Sequence, residues 1–116
     1  MSSLGNKTVL LVEDEALIGA MAADMLADLG ATVIGPVCSV AKALAMAKSD
    51  NFDVAVLDVN VCGERIDPVA DALTARGIPV LLATGYGVAD KYFVIEKPYT
   101  QDKLERGLLQ VLQQKD

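Results

Sequence analysis

Two kinds of apolar pattern alternate along the chain. The first is the short unbroken run: Thr8-Val9-Leu10-Leu11-Val12, Val54-Ala55-Val56-Leu57, Val80-Leu81-Leu82-Ala83 and Phe93-Val94-Ile95. Runs of this length, free of Gly and Pro, predict strands, and Val54-Ala55-Val56-Leu57 reads as one buried on both faces. The second is apolar spacing at three and four residues, which predicts helices. Ile18, Met21, Ala22, Met25, Leu26 and Leu29 form one such set, closed by Gly30 at a left-handed cap. Ser39 starts another, with Val40, Ala43, Leu44 and Ala47 on its inner face. Asp67-Pro68 reads as an N-cap and first helical residue, followed by Val69, Ala70 and Leu73 and ended by Gly77 and Pro79. Thr100 caps the last helix, with Leu104, Leu108, Leu109, Val111 and Leu112 inward. The remaining strand, Thr32 to Val37, carries Gly35 and Pro36 and so belongs at a sheet edge.

A strand–helix alternation at this spacing predicts an α/β fold with right-handed crossovers. We expect a flavodoxin-like, doubly wound five-stranded parallel sheet in the order 2-1-3-4-5. One crossover departs from the pattern. Only nine residues, Gly85 to Phe93, separate Thr84 from Val94, and a whole crossover needs about 10–12. The fourth helix is therefore expected to be shortened or absent.

The 116 residues suit one domain, 1–116, with 1–6 as a flexible N-terminus. Net charge of -6 argues against direct nucleic-acid binding, because a phosphate backbone needs basic patches. No apolar run approaches the roughly 20 residues of a membrane span, and the first residues are too short and polar for a secretory signal. The expected location is cytoplasmic, with Cys38 and Cys62 as free thiols. The chain has no histidine, which removes imidazole ligands and Ser-His catalysis.

The chemistry gathers at the strand ends. By topology, the first strand delivers Glu13 and Asp14 to the carboxyl edge of the sheet, the third Asp58, the fourth Thr84 and the fifth Lys97. That edge is where open α/β sheets bind ligands. Strands one and three are neighbours at the switch point, so three carboxylates lie close together. A cation relieves their repulsion, and hard oxygen donors without sulfur or imidazole suit Mg²⁺. Phosphoryl transfer to a carboxylate would use the whole set. Asp58 would attack phosphorus. Mg²⁺ held by Asp14, Asp58 and the backbone carbonyl of Asn60, with Glu13 in support, would neutralise phosphoryl oxygens. Lys97 would place a positive charge on another oxygen, and the Thr84 hydroxyl would donate to a third. Each residue alone has a plainer role as a turn, cap or solvated side chain. Their joint occurrence at four strand ends favours the functional role.

With these motifs the chain resembles the response-regulator receiver domains of bacterial two-component signalling. The resemblance rests on Leu11-Val12-Glu13-Asp14-Glu15, Val56-Leu57-Asp58-Val59-Asn60, Ala83-Thr84-Gly85 and Lys97-Pro98. It implies that Asp58 accepts phosphate from a sensor histidine kinase or histidine phosphotransfer protein, that Mg²⁺ is required, and that the Lys97-Pro98 bond is cis. It also implies signalling to a downstream protein target rather than enzymatic turnover. Typical receivers carry an aromatic residue three positions before the lysine, where this chain has Val94; Tyr92 and Phe93 are expected to point differently. Leu82-Ala83-Thr84-Gly85-Tyr86-Gly87 is similar to the Phe-Ala-Thr-Gly-hydrophobic-Tyr signature of an atypical subgroup, with Leu82 for Phe and Gly87 for Tyr. Asn60-Val61-Cys62-Gly63-Glu64 resembles the loop of that subgroup and of hybrid-kinase receivers. The expected moving part is the glycine-flanked segment 85–92, drawn by Thr84. Two other functions compete with this one. An aspartyl-phosphate phosphatase needs a second acid where Asn60 stands. A flavodoxin-like binding module needs a Gly-rich phosphate loop where Glu13-Asp14-Glu15 stands.

Overall fold

In the computed structural model, residues 3–85 and 91–114 are described. The elements, in chain order, are β1 (Thr8–Val12), α1 (Ala16–Asp28), β2 (Thr32–Val37), α2 (Val40–Ser49), β3 (Val54–Asp58), β4 (Asn60–Val61), β5 (Glu64–Arg65), α3 (Asp67–Ala75), β6 (Val80–Thr84), β7 (Phe93–Glu96) and α4 (Gln101–Gln113). Five strands form one parallel sheet in the order β2-β1-β3-β6-β7. Counted as sheet strands alone, this is the expected 2-1-3-4-5 order, and the fold is the expected flavodoxin-like α/β.

Period-two alternation divides the core between the faces of the sheet. Leu10 and Val12 pack with α2 and α3 residues such as Ala43, Ala47, Val69 and Leu73. Val9 and Leu11 pack on the other face with Ala22, Leu26, Leu104 and Leu108 from α1 and α4. β3 and β6 are buried along their whole lengths, as expected of central strands. β2 lies at the edge, and its register against β1 shifts between Leu10 and Val12, alongside Gly35-Pro36. Ser39 and Thr100 cap α2 and α4 by accepting from the backbone N–H of Lys42 and Lys103. Gly30 and Gly77 follow α1 and α3 with positive φ, as their sequence positions predict.

The structure corrects or sharpens the expectations at four places. Asp67 is not the N-cap of α3. Ile66 holds that position, and Asp67 lies in the first turn with the proline. Met21 does not face inward: it is 51% exposed, and the buried stripe of α1 is Gly19, Ala22 and Leu26. The N-terminal segment contributes one core residue. Leu4 is fully buried in the α1/α4 core, and its N–H donates to the Leu29 carbonyl. Tyr92 does not diverge from Val94. Both pack on the α2/α3 side of the sheet, and Tyr92 donates to Asp71 on α3. In the crossover from β6 to β7, residues 86–90 lie outside the described residues, and so do Tyr86 and Gly87 of the signature and most of the expected moving segment. The described residues form four helices, none of them between β6 and β7. None is long and apolar enough to cross a membrane.

Candidate functional site

The parallel register brings the strand ends level. Val12 pairs with Leu57, Asp58 with Ala83 and Thr84 with Glu96. The Lys97 N–H donates to the Thr84 carbonyl at 2.8 Å, which seats the lysine beside the end of β6. The Lys97-Pro98 bond is cis, as the resemblance implied; Gly35-Pro36 is cis as well. The outcome is an open cavity of about 760 Å³ at the carboxyl edge of the sheet. Asp14, Asp58, Asn60, Thr84 and Lys97 all line it.

Glu13 does not line the cavity itself but lies buried beside it, tied to Lys97. The Lys97 ammonium lies 2.9 Å from Asp58 Oδ2 and 2.9 Å from Glu13 Oε1. Glu13, Asp58 and Thr84 are the buried polar residues of the described chain. Carboxylate oxygens of Glu13, Asp14 and Asp58 lie within 4.8 Å of one another. Three acids crowded at this distance, two of them buried, with oxygen-only donors, fit a hard divalent cation such as Mg²⁺. Glu13 Oε2 also accepts from the Glu15 N–H, and the Glu13 N–H donates to the Val37 carbonyl, so this acid is fixed at both ends.

The electrostatics follow from position. Burial raises the Glu13 pKa, against the opposing hydrogen bond from Lys97. Asp14 is more open, and the Cys62 N–H holds its carboxyl below the usual carboxylate range. For Lys97, burial opposes the charge, but the bonds to Glu13 and Asp58 outweigh it and hold the pKa above the usual lysine range. Lys97 is therefore a fixed cation throughout the neutral range. Burial pushes the Tyr99 phenol up to about 12, and the charge on Glu13 adds to the effect.

One feature of the site lies in its backbone. The segment after Asp58 is not an irregular loop but a hairpin of β4 and β5, turned through Cys62 and Gly63 at φ of +52 and +80. Two successive left-handed residues make the tight turn favoured between antiparallel strands. At this turn the Cys62 N–H donates to Asp14 Oδ2 at 2.7 Å. The Cys62-Gly63 pair between two short runs was the available sequence signal. Cys38 and Cys62 are both free and exposed.

The solution structure of SdrG from Sphingomonas melonis Fr1 is 42% identical, over 97% of this chain and 99% of that one, at a TM-score of 0.82. A response regulator receiver protein from Sinorhizobium medicae WSM419 is 28% identical over 92% and 94%, at 0.83. The chain belongs to the response-regulator receiver domains. The receiver domain of Erythrobacter litoralis PhyR, at 24% identity and a TM-score of 0.82, shares the same fold. No protein-family model and no curated protein matches this receiver.

Proposed function

We propose that this receiver is the phosphoacceptor of a two-component phosphorelay, with Asp58 as the residue phosphorylated. The observation that carries this reading is the double contact of Lys97 with Asp58 and Glu13 beside Asp14, in an open cavity at the sheet edge. An Asp58 oxygen attacks the phosphorus of a phosphohistidine. A P–O bond forms, the P–N bond breaks, and the departing imidazole keeps the electron pair. Lys97 moves its hydrogen bond from the Asp58 carboxylate to a phosphoryl oxygen, and the Thr84 hydroxyl donates to another. Asp14, Asp58 and the Asn60 carbonyl would hold Mg²⁺, with Glu13 behind them. When bound, the metal supplies charge neutralisation at the phosphoryl oxygens.

The donor is a sensor histidine kinase or histidine phosphotransfer protein, and the output is a downstream protein target. The net charge of -6 does not favour direct contact with nucleic acid. The chain acts as one receiver unit over 1–116, in the cytoplasm and off the membrane. Ala83-Thr84-Gly85 supports membership of the atypical Phe-Ala-Thr-Gly-hydrophobic-Tyr subgroup, with Val94 lining the cavity where typical receivers place an aromatic ring. The test is intact mass after incubation with Mg²⁺ and a small phosphodonor. Wild type gains one labile phosphate and Asp58→Asn gains none. Equal labelling of the two proteins would end the reading.

A further inference from the structure

The hairpin that carries Asn60 also carries an arginine with no part in the scheme above. Arg65 stands directly opposite Asn60 in the antiparallel pair, and directly paired residues project from the same face. Arg65 lines the cavity together with Asp58, Thr84 and Lys97, and besides Lys97 it is the cation among the described lining residues. Its guanidinium is engaged by Asp67 alone among the described contacts, with Nε 3.0 Å from Oδ1 and Nη2 3.5 Å from Oδ2. The side chains are 62% and 53% exposed, and ion pairs so exposed hold their geometry weakly. Asp67 has a second source of stabilisation, because it lies in the first turn of α3, where the helix dipole favours a carboxylate. The guanidinium can therefore leave Asp67 at little cost.

Charge gives it a destination. Glu13, Asp14 and Asp58 carry three negative charges against the single positive charge of Lys97. A divalent cation would cancel the remaining two. Phosphorylation replaces the one charge of the Asp58 carboxylate with about two on the phosphoryl group, which leaves the site one positive charge short. We propose that Arg65 supplies it: its guanidinium exchanges the Asp67 carboxylate for a phosphoryl oxygen on Asp58, making Arg65 a phosphate-binding residue of this receiver. The proposal rests on the phosphoacceptor reading of Asp58.

The test is titration with beryllofluoride, a phosphoryl mimic, in the presence of Mg²⁺, followed by backbone amide NMR. Wild type is compared with Arg65→Gln, Arg65→Lys and Asp67→Asn, and the amide spectrum reports whether each variant is folded. Loss of one charge-assisted hydrogen bond predicts about tenfold weaker binding for Arg65→Gln. Arg65→Lys falls between, because it keeps the charge without the planar fork. Asp67→Asn binds more tightly than wild type, because the guanidinium is released. A purely structural role for the pair would weaken binding equally in Arg65→Gln and Asp67→Asn, and that result overturns the proposal. So does wild-type affinity in Arg65→Gln. Absence of binding to wild type itself would instead strike the phosphoacceptor reading.

Discussion

Replacing Lys97 by methionine keeps an unbranched, flexible side chain only one atom shorter and removes its charge. Glu13 and Asp58 are then left facing each other, at 3% and 8% exposure, without the ammonium that lies 2.9 Å from each. Removing one partner of a buried ion pair costs about 3–5 kcal/mol. The cavity is open on the Asp58 side, so solvent screens part of the loss, and the lower end, about 3 kcal/mol, is expected. For a domain of this size that corresponds to a fall in Tm of roughly 12 °C. It is a large share of a typical domain stability of about 5–15 kcal/mol, but not all of it.

Two dependences separate this cause from simple loss of packing. The first is pH. Glu13 is already raised by burial, and the Lys97 hydrogen bond is what opposes the rise. Without it the pKa climbs further. A carboxyl with a raised folded-state pKa gives stability that is fully present below the ordinary glutamate range and lost as pH rises through the raised value. The deficit of Lys97→Met is therefore largest at neutral pH and shrinks on acidification. The second is metal. A divalent cation binding the now uncompensated acids stabilises the folded state by mass action, so Mg²⁺ should raise the Tm of the variant more than that of wild type. Thermal melts by circular dichroism, with and without Mg²⁺ at two pH values, measure all three effects. A variant within about 0.5 kcal/mol of wild type, with an equal response to Mg²⁺, would refute the argument.

Asp14→Asn keeps an oxygen able to accept from the Cys62 N–H but removes one anionic donor. Calorimetric titration should show Mg²⁺ binding weakened by about tenfold or more, with the unfolding midpoint nearly unchanged; undiminished affinity would remove Asp14 from the metal set. Gly35→Ala tests the edge strand behind the site. Gly35 has φ of +121, and an added Cβ would run into the Leu11 carbonyl and come within 2.8 Å of the Val37 nitrogen. Left-handed strain and backbone overlap together predict a loss of about 3 kcal/mol or more in urea unfolding, and an unchanged midpoint would show that β2 can shift without cost.

What was legible in the sequence divides along physical lines. The sheet was readable because β1, β3 and β6 are buried on both faces and so are continuously apolar. Once their order is known, topology alone brings Glu13, Asp14, Asp58, Thr84 and Lys97 to one edge, which is why the side chains of the site could be named before their distances. The inner face of α1 was harder to read, because Leu17, Ile18, Met21 and Ala22 make the helix apolar almost all round. A glycine decides it: a Cβ on Gly19 would stand 2.9 Å from Pro36 Cγ, so β2 packs against α1 at Gly19, while Leu17 and Met21 face outward at 74% and 51% exposure. Leu4 is hard to read for the opposite reason, since a single apolar residue in a polar stretch has no period. The part of the site that stayed hidden is held by backbone. The Cys62 N–H that fixes Asp14 belongs to a residue whose side chain plays no part in that bond. Its position follows from the paired positive φ values of Cys62 and Gly63, and the same turn sets Arg65 across from Asn60. Side-chain chemistry can be read residue by residue, but a backbone donor becomes visible only once the turn that aims it has been recognised.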